Sequence, residues 1–251
     1  MNNFNPVIPH IIPQQQVICG FTTRNGGVSP PPFNSLNLGL ETTDDPRNIQ
    51  ENHRIVYRYL SIDENQVALM KQVHGKKISM VKSGKKFPST DGLITSKSNL
   101  MLGVLVADCI PLLLFDPSHN IIGAVHCGWR SVSDCIAEKA LGVFTEEFGT
   151  HPEDVVAAMG PSAGPCCYEV GEDVAGLLQV SSVIKRDGIL YADLRAELSD
   201  HLLKAGLSVR NIEIFSDCTV CNEKLYFSHR RDNSNAGRMM GYIMKKDNYK
   251  L

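Results

Sequence analysis

The stretch MLGVLVADCIPLLLFDPSHNIIGAVHCGWR, residues 101–130, decides the fold. It contains three apolar runs at residues 102–107, 111–115 and 121–125, and a polar turn separates the last two. Continuous apolar runs of this length are typical of β-strands that are buried on both faces. The stretch therefore predicts three buried strands in close succession.

Side chains that can bind a metal follow the ends of these runs. Cys109 comes shortly after the first run, and His126 follows the last one directly. Upstream, residues 67–73 form another strand-like run, which ends in His74. A group at the end of a buried strand is held rigidly, as a metal ligand or a catalytic group must be. Three strand ends thus offer nitrogen, sulfur and nitrogen donors.

Zinc accepts thiolate and imidazole ligands, and a catalytic zinc has three protein ligands with a fourth position open. His74, Cys109 and His126 match that ligand count, but only the fold can bring them together. Each can instead be a satisfied core residue. Cys109 can also act as a nucleophile with one of the two histidines as its base. Because the same thiolate binds metals and attacks carbonyls, the sequence does not separate these interpretations.

The bulk composition limits the class of protein. The chain has 251 residues, 43% of them hydrophobic, and a formal net charge of -2. These values predict one domain over residues 1–251, with residues 1–16 as a loose N-terminal arm. The balanced charge gives no case for nucleic acid or an anionic membrane as partner, and no apolar run is long enough for a membrane span. The N-terminus lacks a signal-peptide pattern, which predicts a cytoplasmic protein. The oligomeric state stays open.

The periodic segments predict several helices among the strands. Asp45-Pro46 provides a cap and a first-turn proline for a helix whose apolar face carries Ile49, Val56 and Leu60. Further amphipathic segments begin at residue 131 or 133 and end at Gly149, and others cover residues 171–180 and 193–205. Strands and helices do not alternate strictly, which argues against TIM-barrel and Rossmann folds. The expected class is a mixed α/β (α+β) fold.

The cysteines outside the apolar runs give weaker signals. Cys218 and Cys221 form a single CxxC motif without the second pair that a structural zinc needs. The adjacent Cys166 and Cys167 are expected to pack rather than to pair. In a cytoplasmic protein, all eight cysteines are expected to be free or metal-bound, without a structural disulfide.

Two further residues have two interpretations each. Arg24 follows a strand-like run and precedes two glycines, so it can hold an anion or can be a surface residue of a turn. Asp91, which precedes Gly92, can face a site or can be a plain turn residue.

Eight motifs run in order through nearly the whole chain, namely TTRNGGVS (22–29), SLNLGL (35–40), QVHG (72–75), DGLIT (91–95), ADCIPLLLFD (107–116), AVHCGWR (124–130), GPSAGPCCYEVG (160–171) and FSHRRDNSNAGR (227–238). Several of them are long and unusual. Together they resemble a family known by three names: multicopper polyphenol oxidoreductase (laccase-like), peptidoglycan editing factor, and purine nucleoside phosphorylase with adenosine deaminase activity.

The resemblance implies a sandwich of mixed β-sheets with helices on the outer faces. It also implies that His74, Cys109 and His126 are the catalytic metal ligands, with zinc as the metal and copper as the alternative. The sequence departs from the family at Cys127, where alanine is usual, and at His229, where tyrosine is frequent. Because neighbouring strand residues alternate between faces, Cys127 is expected to point away from His126.

The resemblance further implies purine nucleosides such as adenosine, inosine and methylthioadenosine as substrates, with phosphate. Zinc-activated water would deaminate adenosine, and phosphate would displace the purine from the ribose. Arg24 is the first candidate for the phosphate contact, with Arg130 and Arg230 or Arg231 next. Asn37 and Asp91 are candidates for sugar or base. Arg130 can alternatively pair with a carboxylate such as Asp108.

Three functions therefore stay open. The first is a zinc-dependent purine nucleoside phosphorylase and deaminase. The second is a copper-dependent phenol oxidase, although multicopper oxidases need many more histidines than eight scattered ones provide. The third is a cell-wall precursor editing factor or a hydrolase that uses Cys109 as its nucleophile.

Overall fold

Two mixed β-sheets lie face to face at the centre of the computed structural model, which describes residues 4–247. The strands described are β1 (Val17–Phe21), β2 (Val67–Met70), β3 (Ile78–Met80), β4 (Lys86–Phe87), β5 (Gly92–Thr95), β6 (Met101–Val106), β7 (Ile110–Asp116), β8 (Ile121–Cys127), β9 (Val156–Met159), β10 (Glu169–Val170), β11 (Val183–Arg186), β12 (Ile189–Ala192), β13 (Ile212–Ile214) and β14 (Met239–Lys245). The α-helices described are α1 (Pro46–Leu60), α2 (Trp129–Ser133), α3 (Ile136–Phe148), α4 (Glu172–Ala175), α5 (Leu194–Lys204) and α6 (His229–Asp232).

The segment 101–130 contributes to both central sheets. β6 lies in a five-stranded sheet of order β1-β14-β6-β2-β4, whereas β7 and β8 form an antiparallel hairpin in a six-stranded sheet of order β13-β9-β7-β8-β5-β3. The chain therefore passes from one sheet to the other between Val106 and Ile110. A small third sheet, β10-β12-β11, lies outside the pair.

Apolar side chains fill three layers around these sheets. Leu102 and Val104 of β6 meet Leu113 and Phe115 of β7 in the core between the sheets. Helix α1 packs with side chains of the five-stranded sheet, and α2, α3 and α5 pack with those of the six-stranded sheet. The predicted α/β sandwich with outer helices is confirmed.

Helix α1 begins where its sequence predicts. The side chain of Asp45 accepts a hydrogen bond from the backbone N–H of Arg47, and Pro46 occupies the first turn. The predicted apolar residues Ile49, Val56 and Leu60 are all buried. Of the helices within residues 4–247, none has the length and apolarity that a bilayer crossing would require.

Two other helices differ from their predictions. The helix expected from residue 131 or 133 is divided, because Cys135 has a φ of 58° and separates α2 from α3. Gly149, with a φ of 69°, ends α3 as predicted. The segment 171–180 contains only the short α4, which Gly176 follows directly.

The N-terminal segment is not a loose arm over residues 4–16. The N–H of Val7 donates to the carbonyl of Phe21, and the N–H of Phe21 donates back to that of Val7, both at 2.8 Å. Ile12 is fully buried in the core between the sheets. The carboxylate of Glu213 accepts the N–H groups of His10 and Ile11. Apolar burial and backbone pairing thus hold this segment, while residues 1–3 of the predicted arm lie outside the described residues.

Candidate metal centre and its cavity

The three predicted donors meet where the strands end. The imidazole nitrogens of His74 and His126 and the sulfur of Cys109 lie within 4.8 Å of one another. Cys109 Sγ is 4.0 Å from His74 Nε2, and the two imidazole centroids are 4.8 Å apart. Residues that are 35 and 17 positions apart in the chain thus form one cluster.

Each donor is positioned by a different part of the fold. His126 lies on β8, opposite Pro111 of β7. Cys109 lies in the crossing between the sheets, directly after Asp108, whose φ of 85° turns the chain. His74 also has a positive φ, 56°, and lies in the loop after β2. This strand ends at Met70 rather than at the predicted residue 73.

Asp91 connects two of these elements from behind the cluster. Its carboxylate accepts hydrogen bonds from the backbone N–H groups of Val73, His74 and Gly75 at 2.8–3.2 Å. The same carboxylate lies 2.9 Å from His126 Nδ1. Asp91 is fully buried, so it positions His74 and His126 rather than facing a substrate. This corrects the assignment of Asp91 to substrate binding.

The electrostatics of the cluster favour an ionised thiol. Burial raises the pKa of the Cys109 thiol, but the neighbouring His126 and His74 outweigh burial and lower the pKa to about 6. Burial lowers the pKa of His126, but Cys109 and Asp91 outweigh it and raise the pKa to about 9. A thiolate is the form of cysteine that binds metals. Since Nδ1 of His126 is engaged by Asp91, Nε2 is the nitrogen left for a metal.

Gly128 allows the ligands to pack closely. A Cβ atom at this position would lie 3.0 Å from His74 Cδ2 and 3.2 Å from Cys109 Sγ, closer than ordinary carbon contacts. The donor types, their spacing and the partner of His126 all fit a metal such as zinc.

The cluster opens into a cavity of about 530 Å³. Arg130 and Arg230, two of the predicted substrate-binding residues, line it together with Arg238. The guanidinium of Arg130 lies 4.2 Å from the Trp129 ring centroid, and that of Arg230 lies 5.1 Å from the centroid of Tyr168. Positive charge and aromatic surface therefore lie beside the metal-capable donors.

Arg24, the first candidate for the phosphate contact, is placed elsewhere. Its guanidinium donates to the backbone carbonyls of Asn34 and Glu223 at 2.8 and 3.0 Å and lies over the ring of Phe227. These contacts tie the glycine-containing loop to the C-terminal part of the chain. Arg24 is absent from the residues that line the cavity, so the structure gives it a structural role.

Asn37 is also structural rather than exposed to a substrate. Its amide Nδ2 donates to Thr42 and Asp44 at 2.8 and 3.0 Å, and its Oδ1 accepts the backbone N–H groups of Gly39 and Arg238 at 2.9 Å. The side chain is fully buried, and both its amide nitrogen and its amide oxygen have hydrogen-bond partners within the protein. The assignment of Asn37 to sugar or base is therefore wrong.

Two further predictions concern Arg231 as a phosphate contact and Arg130 as the partner of a carboxylate such as Asp108. The guanidinium of Arg231 donates to the carbonyls of Thr219, Val220 and Tyr226, so Arg231 supports the chain. Arg130 makes no ion pair with any carboxylate among residues 4–247, and the carboxylate of Asp108 instead accepts Thr219 Oγ1 and the N–H of Arg230 at 2.6 Å.

Several cavity residues escaped the sequence-based assignment, and three of them carry polar groups close to the C-terminal motifs. Tyr168, His229 and Arg238 line the cavity, and all three lie in the motifs 160–171 and 227–238. These motifs carried the signal, but nothing in the spacing distinguished a lining residue from a packed one. Cys127 is fully buried among apolar side chains on the α3 side of its sheet, as predicted.

Fold and site together define a class: an α/β sandwich with a two-histidine, one-cysteine centre in a cavity lined by arginines. The family profile described as multi-copper polyphenol oxidoreductase laccase matches residues 18–246. The chain belongs to this family. It is 32% identical over 250 residues to purine nucleoside phosphorylase YlmD of Bacillus subtilis, with 93% of this chain and 90% of that protein covered.

Another relative and two solved structures are also similar to this chain over most of its length. A purine nucleoside phosphorylase of Clostridium acetobutylicum is 35% identical over 216 residues, which cover 85% of this chain and 89% of that protein. The crystal structure of the hypothetical protein YfiH of Bacillus licheniformis superposes with a TM-score of 0.90 at 33% identity, over 98% of this chain and 100% of that one. YlmD of Geobacillus stearothermophilus gives a TM-score of 0.88 at 31% identity, over 92% and 93% of the two chains.

Proposed function

We propose that this protein is a zinc-dependent purine nucleoside phosphorylase of the cytoplasm that also deaminates adenosine. Its substrates are adenosine, inosine or methylthioadenosine with phosphate, and the phosphorolysis products are the free base and the sugar 1-phosphate. The observation that carries the proposal is the His74, Cys109 and His126 cluster, which opens into a cavity lined by Arg130 and Arg230. The relatives that are named purine nucleoside phosphorylases support it.

The size of the cavity suits this substrate class. Sites for small molecules usually have volumes of about 300–1,000 Å³, and this cavity of about 530 Å³ falls within that range. Aromatic residues Trp129 and Tyr168 offer apolar surface for a purine, and the imidazole of His229 adds a hydrogen-bonding group. A nucleoside and a phosphate ion together match this mixture.

The cations of the cavity differ in their availability for phosphate. Lys71 and Lys86 both lie near the carboxylate of Glu41, at 3.8 and 3.7 Å. Arg130 and Arg230 make no ion pair with a carboxylate in the described part of the chain. Because a guanidinium can hold two phosphate oxygens at once, we assign the phosphate contact to these two arginines.

Phosphorolysis then needs little covalent participation by the protein. A phosphate oxygen forms a bond to C1′ of the sugar while the bond from C1′ to the purine nitrogen breaks, and the purine leaves with the bonding electrons and takes up a proton. Arg130 and Arg230 hold the phosphate on the attacking side and offset its charge. Tyr168 and Trp129 orient the nucleoside by contact with its rings.

Deamination depends on the His74, Cys109 and His126 cluster rather than on the arginines. A bound zinc would supply a water of lowered pKa, suited to attack at C6 of adenosine with release of ammonia. His74, Cys109 and His126 would hold the metal, and Asp91 would keep Nδ1 of His126 occupied so that Nε2 faces the metal. Phosphate has no part in this reaction.

The donor set argues against the copper-dependent phenol oxidase. Within residues 4–247 there are three clusters of metal-capable side chains. One contains two histidines, another contains one, and the third contains none. Oxygen reduction at several coppers requires many more imidazole ligands. The family description as an oxidase therefore has less support from the residues than the phosphorylase function has.

Incubation with adenosine and with inosine, with and without phosphate, tests the proposal. Chromatography should detect hypoxanthine from inosine only when phosphate is present, and inosine from adenosine under both conditions. His126→Ala should abolish deamination and remove the zinc bound by His74, Cys109 and His126, while the far-ultraviolet circular dichroism stays unchanged. Phenol oxidation that depends on added copper, with no nucleoside turnover, would contradict the proposal. Retained activity in a metal-free enzyme, lost in Cys109→Ser, would favour the cysteine-hydrolase alternative.

A further inference from the structure

The CxxC motif of Cys218 and Cys221 does not stand alone in the fold. The adjacent Cys166 and Cys167, expected to pack separately, lie against it, and the four sulfur atoms are within 4.8 Å of one another. Two pairs that are about fifty residues apart in the chain thus meet in one cluster. This corrects the interpretation of the motif as lacking a second pair.

The sulfur geometry is close to that of a metal site. Cys221 Sγ is 3.5 Å from Cys166 Sγ and 3.2 Å from Cys167 Sγ. In a tetrahedral site with zinc–sulfur bonds of about 2.3 Å, neighbouring sulfurs are about 3.8 Å apart. Shifts of well under 1 Å would therefore bring the four sulfurs to the spacing that zinc requires.

The two cysteine segments are held together by their backbones. The N–H of Thr219 donates to the carbonyl of Ser162 at 3.0 Å, and Ser162 and Cys218 form a parallel β-bridge. The N–H of Gly164 donates to Cys218 Sγ at 3.3 Å, a contact that stabilises a thiolate. A turn from Gly164 to Cys167, closed by a 3.0 Å hydrogen bond, directs the second pair towards the first.

A buried arginine joins the same two segments. Arg195 donates to Ser162 Oγ at 2.9 Å, to the carbonyl of Ser162 at 2.6 Å and to that of Asp217 at 2.7 Å. A Cβ atom built at Gly164 would lie 3.3 Å from Cys166 Sγ and 3.6 Å from Arg195 Nη2, so the guanidinium lies close to the sulfur cluster. Its positive charge offsets part of the charge of ionised thiols.

We propose that Cys166, Cys167, Cys218 and Cys221 form a second metal site, a structural Zn²⁺ centre with four thiolate ligands. Four thiols release four protons when they bind one Zn²⁺, which leaves a net charge of -2 beside Arg195. A closed set of four sulfur ligands has no open position for a substrate, which distinguishes this site from the His74, Cys109 and His126 cluster.

A disulfide does not explain this arrangement as well. A sulfur–sulfur bond is about 2.05 Å long, whereas Cys221 Sγ lies 3.2 Å from Cys167 Sγ and 3.5 Å from Cys166 Sγ, and all four cysteines are free. One disulfide would also leave two thiols of the cluster unused. Zinc uses all four.

The site would fix one wall of the cavity. Cys167 directly precedes Tyr168, which lines the cavity. Thr219, inside the CxxC motif, donates to the carboxylate of Asp108, which also accepts the backbone N–H of Arg230. Metal bound to the four cysteines therefore positions Tyr168 and Arg230 without contacting the substrate.

Metal analysis of three multiple variants tests the proposal independently of enzyme activity. His74→Ala/His126→Ala removes two ligands of the first centre, which is the His74, Cys109 and His126 cluster, and leaves the four cysteines intact. We expect this variant, purified with Zn²⁺, to retain about one zinc per chain. Adding Cys218→Ser/Cys221→Ser should remove it, whereas adding the exposed Cys135→Ser as a matched control should not. A zinc content near zero in His74→Ala/His126→Ala would overturn the proposal.

Cobalt substitution gives a second readout that requires no cysteine variant to fold. Co²⁺ bound to the His74→Ala/His126→Ala variant should give the intense visible bands and thiolate charge-transfer absorption of a tetrahedral tetrathiolate site. Weak octahedral cobalt bands would contradict the assignment. Thiol titration of the metal-chelated, denatured wild type should find eight thiols, and a count of six would show that two cysteines form a disulfide instead.

Discussion

The Nδ1 atom of His126 lies 2.9 Å from Oδ1 of Asp91, and both side chains are buried. Burial raises the pKa of the Asp91 carboxyl, but hydrogen bonds from His126 and the N–H groups of Gly75 and Val73 outweigh burial and lower the pKa below its ordinary value. Asp91 is therefore a carboxylate, and it fixes both the orientation of His126 and the backbone that carries His74.

Asp91→Asn should weaken zinc binding at the first centre. The amide has nearly the same shape, but it lacks the charge and presents an N–H₂ group to backbone donors that need an acceptor. Loss of such a partner commonly lowers metal affinity about 10–100-fold. Competition with a chromophoric chelator should measure this change in a Cys218→Ser/Cys221→Ser background. Unchanged affinity would show that Asp91 does not orient the ligands.

Gly128→Ala should disturb the same centre by crowding. The added methyl would lie 3.0 Å from His74 Cδ2 and 3.2 Å from Cys109 Sγ, so one of these ligands must move. Zinc affinity and deaminase activity should both fall at least about tenfold, because catalytic ligands tolerate shifts of only about 0.5 Å.

Gly142→Ala is the matched control for this substitution. Gly142 lies within α3 and has open space, with its nearest neighbour 3.9 Å from the added Cβ. The helix should gain about 0.5–1 kcal/mol from the change, and the metal should bind as in the wild type. Equal zinc loss in both variants would rule out the proposed local crowding.

Arg130→Ala and Arg230→Ala should each raise the KM for phosphate. A hydrogen bond to a charged group contributes about 1.5–3 kcal/mol, or roughly ten- to a hundredfold in kcat/KM at low phosphate. Deamination of adenosine should change much less, because it needs no phosphate. Initial rates of inosine phosphorolysis over a range of phosphate concentrations would measure the effect.

Arg24→Ala separates the anion contact from the structural role. Its guanidinium binds backbone carbonyls of Asn34 and Glu223, so the variant should lose about 1–2 kcal/mol of unfolding free energy in urea. Its KM for phosphate should remain close to that of the wild type. A selective rise in this KM would reinstate Arg24 as the phosphate ligand.

Asp116→Asn should lower stability in a pH-dependent way. Burial raises the pKa of Asp116, but hydrogen bonds from Thr150, His119 and Ser118 outweigh burial and hold the pKa below its ordinary value. A depressed pKa contributes stability above the unfolded pKa of about 3.9, and this contribution is lost as the pH falls through the lower folded pKa.

At pH 7 we expect Asp116→Asn to cost about 1–3 kcal/mol in urea unfolding. The difference from the wild type should shrink below about pH 4, where the Asp116 carboxylate of the unfolded chain begins to take up its proton. The exposed Asp154→Asn is the matched control and should change stability by less than about 0.5 kcal/mol. A difference that stays constant down to pH 3 would show that the charge of Asp116 is not what stabilises the fold.

The sequence by itself determined the features that depend on near neighbours. The apolar runs of residues 101–130 form β6, β7 and β8, because unbroken apolar segments must be buried wherever the chain places them. Helix α1 was predictable with its cap at Asp45 and its buried face, since both follow from residues within a few positions. The family motifs pointed to the three metal-capable donors.

Only the tertiary structure decided which distant residues meet. Arg24 and Arg130 look equivalent in the chain, but the carbonyls of Asn34 and Glu223 occupy the guanidinium of Arg24. The CxxC motif of Cys218 gained its second pair only because Ser162 bridges to it. Side-chain roles of this kind depend on hydrogen bonds and packing between segments far apart in sequence, which local periodicity and spacing do not encode.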